Sequence, residues 1–223
     1  MKMPPTVWWP VGLTLACIVG LLVAEHRRSQ PLKWLCKPLA ALGFIWAAYA
    51  AGAWASSYGQ VVLSGLVLCA IGDICLIPTR VERWFLVGLI SFLLGHVAYA
   101  IAFTMRGLST PWLIGATVPL AVIGFGVYRW LSPDIQVGMK RPVQAYIAVI
   151  STMVALAIAT SAADGAWLIT IGATMFWLSD ISVASARFKG AGMVNRAWGI
   201  PMYFLAQLVL AITVFYTDGG RSS

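Results

Sequence analysis

Two aspartates, Asp73 and Asp180, stand inside long apolar stretches of this sequence, and no other acid does. An ionisable side chain in hydrocarbon costs roughly 2.5–3.5 kcal/mol on insertion scales, so each one needs either a partner or a use. Two carboxyl groups in one poorly solvated pocket can serve as acid and charge together: desolvation and mutual repulsion leave one protonated while the other is ionised. Polar residues of the right types recur around them. His96 lies about 16 Å along its segment by helical rise, near the middle of the bilayer. Tyr146, Tyr203 and Gln207 lie in the same half of the membrane as the acids, and Lys37 stands at the mouth of another segment. Each has a plainer reading as well. The aspartates could be interfacial residues paired with Arg80 or Arg187, His96 an interhelical hydrogen bonder, and a buried tyrosine simply needs a partner for its hydroxyl. Taken together they outline one polar pocket in the inner leaflet.

The elements that must hold such a pocket follow from composition. A chain of 223 residues that is 61% hydrophobic and 10% charged cannot present a wettable surface, and lipid is its solvent. Eight apolar runs, at 7–24, 38–54, 61–77, 85–104, 112–131, 143–163, 167–184 and 199–217, have the length a helix needs to cross a ~30 Å hydrocarbon core. Barrel strands would be shorter and would alternate polar with apolar residues, so the expected fold is an all-α bundle of eight transmembrane helices in one domain, 1–223. A cleaved signal peptide over the first run would export Arg27 and Arg28 against the charge bias of the chain.

Alternating helices place Arg27, Arg28, Lys33, Lys37, Arg80, Arg83, Arg129, Lys140, Arg141, Arg187, Lys189 and Arg196 on one side and Lys2, Arg106 and Arg221 on the other. The basic side is cytoplasmic by the positive-inside rule, which leaves both termini outside. The net charge of +8 then requires no nucleic acid. Trp8, Trp9, Trp34, Trp54, Trp84, Trp112, Trp130, Trp167 and Trp198 fall near segment ends as interfacial anchors. Cys17, Cys36, Cys69 and Cys75 lack metal-type spacing and read as packing residues. Two aspartates and one deep histidine make a poor zinc set, so no metal or other cofactor is expected.

Matched features suggest an internal duplication, 1–108 and 109–217. Lys37 and Pro38 answer to Arg141 and Pro142, 104 positions later, while Gly72, Asp73, Ile74 answer to Ser179, Asp180, Ile181 and His96 to Tyr203, both 107 positions later. Four helices per half would make this a parallel repeat.

Lys37 and Pro38; Gly72, Asp73, Ile74, Cys75, Leu76; Phe85, Gly88, Leu89, Phe92, His96, Tyr99, Phe103; Pro142, Val143, Tyr146, Met153; Gly172, Phe176, Ser179, Asp180, Arg187, Phe188; and Tyr203, Ala206, Gln207 together resemble the YhhN-type lysoplasmalogenase family, over roughly 33–212. The resemblance implies an integral-membrane hydrolase acting on a lysophospholipid, one that cleaves the vinyl-ether bond of lysoplasmalogen to a fatty aldehyde and a glycerophospho-ethanolamine or glycerophospho-choline. That chemistry suits the pair of acids, because protonating the β-carbon of a vinyl ether produces an oxocarbenium ion, and glycosidases meet a related cation with two carboxyl groups. In this reading Asp73 and Asp180 are catalytic. Lys37, with Arg187 as a second candidate, holds the lipid phosphate, and His96, Tyr146, Tyr203 and Gln207 orient the acids or the water. Two other classes compete. Ala70, Ile71, Gly72, Asp73 is one residue from the GxGD pattern of intramembrane aspartyl proteases, although glycine is absent at position 70 and Ser179 replaces the tyrosine before the second acid. A proton- or cation-coupled transporter is the third, against which the third and seventh segments lack the interruptions of broken helices. Short loops without an added domain suit a bacterial cytoplasmic membrane.

Overall fold

The computed structural model describes residues 3–78, 82–190 and 192–216. Its secondary structure is helical throughout, in eight α-helices: α1 (Trp8–His26), α2 (Gln30–Ala50), α3 (Ser57–Cys75), α4 (Glu82–Thr104), α5 (Thr110–Leu131), α6 (Lys140–Asp164), α7 (Trp167–Phe188) and α8 (Met193–Thr213). Seven are long and apolar enough to cross a membrane; α2, which carries Lys33 and Lys37 in its first half, is not among them.

The helices begin and end differently from the apolar runs in most places, four of which bear on the site. The second starts at Gln30 instead of position 38 and the eighth at Met193 instead of 199, while the third stops at Cys75 and the seventh continues to Phe188. At the first two the cause is proline. Pro31 sits in the first turn of α2, where its missing N–H is not needed, and Pro38 and Pro201 are carried inside helices whose packed neighbours compensate for the lost bond. Lys37 is therefore about two turns inside α2 and not at its mouth. Asp73 lies in the last turn of α3 while Asp180 lies two turns from the end of α7, so the two are not equally far from their helix ends, whereas the apolar runs 61–77 and 167–184 place them at equal depth.

Successive helices run antiparallel, and the basic residues at 27–37, 129, 140–141 and 187–196 gather at one end of the bundle. Ion pairs tie that end together: Glu25 to Lys33 (2.8 Å) and to Arg196, and Lys189 to Asp134 (2.5 Å). The opposite end is held by Arg106 with Asp164 (2.5 Å) and by a bond between Tyr58 and Thr213 (2.8 Å). Lys2, Arg80 and Arg221 lie outside the described residues. All nine interfacial tryptophans are exposed, and all four cysteines are buried and unbridged.

Helices α3 and α4, and α7 and α8, make the closest pairs; α2 lies against α1, α3 and α8, and α6 against α5, α4 and α7. At the α7–α8 crossing a Cβ on Gly199 would collide with the Ser182 side chain, whose hydroxyl donates to the Asn195 carbonyl (3.0 Å). Helix α5 is the outlier. Only Ala116, Leu120, Gly124 and Leu131 of its residues are buried, and it is attached through α6 with a small contact to α7.

Candidate active site

Asp73 is 2% exposed, and Lys37 and Tyr203 hold it in place. The Lys37 ammonium lies 3.2 Å from Oδ1 and also donates to the Asp73 main-chain carbonyl at 3.0 Å. That carbonyl belongs to the last turn of α3, where no intrahelical N–H is available, so Lys37 both caps the helix and opposes the negative end of its dipole. The Tyr203 hydroxyl of α8 donates to Oδ2 at 2.6 Å. Gly72 lets this corner close: a Cβ there would stand 2.7 Å from the Phe92 ring.

Asp180 has a different set of neighbours. The Tyr146 hydroxyl of α6 donates to its Oδ2 at 2.6 Å, and His96 Nε2 of α4 faces the same oxygen at 3.5 Å, beyond ordinary hydrogen-bond length. His96 Nδ1 lies 2.6 Å from the Phe92 carbonyl oxygen, which can only accept, so that nitrogen carries the hydrogen and Nε2 is directed at the acid. Nε2 has no hydrogen-bond partner among the described residues. The Phe176 ring links the two sets, 4.3 Å from the His96 ring and 5.4 Å from that of Tyr203.

Asp73 and Asp180 line one cavity of about 1280 Å³, which counts the open space at its mouth. Lys37, Arg187, Arg196, Glu25 and Tyr203 line it too, so it is the polar chamber, and it reaches the basic end of the bundle. Arg187 lies over the Phe85 ring, 4.4 Å from its centroid. A second cavity of about 740 Å³ lies between α4, α5, α6 and α7 and is walled almost wholly by apolar side chains. Asp180, with Leu76, Phe85, Phe92 and Val183, belongs to both.

Six of the eight residues singled out from the sequence thus meet around the polar chamber: Asp73, Asp180, Lys37, Arg187 and Tyr203 line it, and His96 abuts Asp180. Tyr146 reaches Asp180 from the apolar side. Gln207 is placed elsewhere. It is fully buried, its carbonyl oxygen accepts from the Tyr99 hydroxyl at 2.6 Å, and it touches neither carboxylate. Lys37 is also not disposed as a bare phosphate ligand, since Asp73 occupies it. Ser179, although next to Asp180 in sequence, turns back to the Phe176 carbonyl (2.7 Å). The sequence reading passed over Glu25 and gave Arg196 no part in the site. The signal was there: Glu25 is the one acid in a basic stretch containing Arg27, Arg28, Lys33 and Lys37, and an acid in such company is a candidate for pairing.

The YhhN family model matches residues 32–214 of this chain. Among curated proteins the chain is similar to bovine lysoplasmalogenase TMEM86A, 33% identical over 68% of this chain, and to human TMEM86A at 29%; the match spans 64% of the length of each, just under two thirds. Human lysoplasmalogenase TMEM86B is 30% identical over 94% of this chain and 88% of its own. No solved structure matches the chain.

Proposed function

Because the chain belongs to the YhhN family, whose similar members carry the name lysoplasmalogenase, we propose that it hydrolyses the vinyl-ether bond of lysoplasmalogens with Asp73 and Asp180. The observation that carries this reading is the position of Asp180, which stands where a polar chamber holding the second acid meets an apolar one. A lysoplasmalogen has the same division. Its glycerophosphate head is polar, its alkenyl chain is apolar, and the bond to be broken lies between them.

With the head in the polar chamber, Arg187 supplies a guanidinium group for the phosphate, beside Arg196, which is ion-paired with Glu25. The β-carbon of the vinyl ether, which belongs to the chain, then falls on the Asp180 side. Asp180 faces the neutral Tyr146 hydroxyl and the bare Nε2 of His96 and carries the proton, whereas Asp73, bound to the Lys37 ammonium, is the carboxylate. The Asp180 O–H bond breaks, its proton goes to the β-carbon, and the π pair of the double bond forms the new C–H bond. This leaves an oxocarbenium ion that the nearby negative charge stabilises. Water adds to the α-carbon and gives up its proton to the carboxylates. The hemiacetal then breaks its bond to the glycerol oxygen, which takes a proton as the aldehyde forms. No step calls for a metal, and among the described residues no group of three or more His, Cys, Asp or Glu is placed to hold one.

The test is a mass-spectrometric screen of the purified protein against lysophospholipids with vinyl-ether, alkyl-ether and ester chains. Aldehyde should appear from the vinyl ether alone, because an alkyl ether has no double bond to protonate. Turnover of the ester at a similar rate, or of none of the three, would remove this reading.

A further inference from the structure

Along α5 and α6 the apolar chamber is shorter than the ligand it faces, and the mismatch indicates where the ligand goes. On α5 its lining runs from Leu131 to Gly124, and on α6 from Val143 to Ile150. Either stretch is eight residues, about 10 Å at 1.5 Å per residue, while on α7 the lining runs from Trp177 to Phe188, about 16 Å. A membrane lipid chain reaches across about half of a ~30 Å hydrocarbon core, roughly 15 Å, so it overruns the lining on α5 and α6.

A thin wall stands at the inner end of that lining. A groove of about 860 Å³ runs along the outside of the bundle between α5 and α6, and Gly124 and Ile147 line both the groove and the chamber. The wall there is one glycine and one isoleucine thick: a Cβ on Gly124 would lie 3.1 Å from Ile147 Cγ2 and 3.3 Å from Ser151 Oγ. The seam also belongs to the least anchored helix, since α5 is joined to the bundle mainly through α6. Its outward face, with Val118, Val122 and Phe125 all strongly exposed, has a lipid-compatible surface.

We propose that the chamber between α4, α5, α6 and α7 binds the hydrocarbon chain of a lysophospholipid, and that the chain passes out to the bilayer through the α5–α6 seam at Gly124 and Ile147. The proposal rests on the hydrolase reading for the identity of the head, but the chain site is defined by its own walls. Gly124 then acts on specificity. A side chain there fills the seam and confines the ligand to the chamber, so long chains lose more than short ones.

Two measurements test this. In the first, wild-type protein is photolabelled with an alkyl-ether lysophospholipid bearing a diazirine at the chain end, which binds without being cleaved, and adducts are mapped by mass spectrometry. The expected result is adducts on α5 and α6 beside Gly124 and Ile147 that unlabelled lysophospholipid competes away. Competed adducts confined to α1, α2 or α8, or adducts that no competitor displaces, would overturn the proposal. Vinyl-ether cleavage is followed on the same preparation. Cleavage with adducts elsewhere removes the chain site and leaves the hydrolase reading, whereas competed adducts at the seam without cleavage do the reverse. In the second, Gly124→Val is compared with wild type across chain lengths. Its kcat/KM for the longest chains should fall at least about tenfold relative to the shortest, the scale on which a pocket discriminates methylenes. An equal fall at all lengths would contradict a chain exit at this point. Should the variant not fold, the labelling of wild-type protein decides alone.

Discussion

Asp73 and Asp180 have the same side chain and different neighbours, and the difference sets distinct expectations for their substitution. Asp180→Asn keeps the shape and can still accept from Tyr146, but it has no acidic proton to give. Vinyl-ether turnover should fall by about 10² to 10⁴, the usual value of a positioned acid, with the melting temperature little changed. Asp73→Asn removes the charge that stabilises the cation and leaves the Lys37 ammonium in a chamber without its partner. It should lose turnover and stability together, since breaking one side of a buried ion pair costs about 3–5 kcal/mol. Lys37→Met tests the geometry from the other side. A lysine that only gripped phosphate would raise KM when removed. Held as it is at 3.2 Å from the Asp73 carboxylate, its loss should lower kcat. Steady-state kinetics with thermal melts in detergent separate these outcomes, and an Asp180→Asn enzyme with near-wild-type turnover would shift the acid to His96.

Among the elements, the α7–α8 pair determines how Tyr203 meets Asp73, because both helices bring side chains to the polar chamber and approach closely at Gly199. Gly199→Ala places a methyl on the Ser182 side chain, an overpacking that should cost about 1–3 kcal/mol. Its melting temperature should drop, and Ser182→Gly in the same chain should recover part of the loss by vacating the space. Failure of the second change to help would mean that the strain lies elsewhere along the crossing. The order of neighbours is also informative. The pairs α1–α2, α2–α3, α3–α4 and α2–α8 recur, four helices on, as α5–α6, α6–α7, α7–α8 and α6–α4. A duplication of four helices, which we propose from the matched residues, would produce this order. In it each aspartate is attended by the other half, Asp73 by Tyr203 and Asp180 by His96.

For the molecule as a whole, the sidedness of charge predicts orientation. The end that gathers Lys33, Arg129, Lys140, Arg141, Lys189 and Arg196 should face the cytoplasm, with the mouth of the polar chamber on that side. Single cysteines at Val137, which is 85% exposed, and at Leu108, on the opposite end, test this in intact cells. A membrane-impermeant maleimide should label position 108 and spare position 137. The reverse pattern would invert the protein and move the head-binding chamber to the outer face. The four native cysteines are buried and should contribute little background.

Membrane residence, eight helices and the two isolated acids were readable from the residues alone. Hydropathy is local: each run records its own preference for lipid, and an aspartate within one stands out whatever surrounds it. Helix limits were less legible, because Pro38 and Pro201 look like boundaries in isolation and stop being so only when neighbouring helices support the interrupted ladder. The partners were not legible. Lys37 joins Asp73 across 36 positions, Tyr203 joins Asp73 across 130, and Arg196 joins Glu25 across 171. Those meetings depend on how far each helix is rotated about its axis and on which faces pack, and in nearly uniformly apolar helices the sequence carries little periodicity to set the rotation. Glycines such as Gly72 and Gly199 set it by allowing particular close approaches, and their effect exists only once the helices are together. The two chambers meeting at Asp180 arise in the same way. They are spaces left between helices, and only the packed bundle has them.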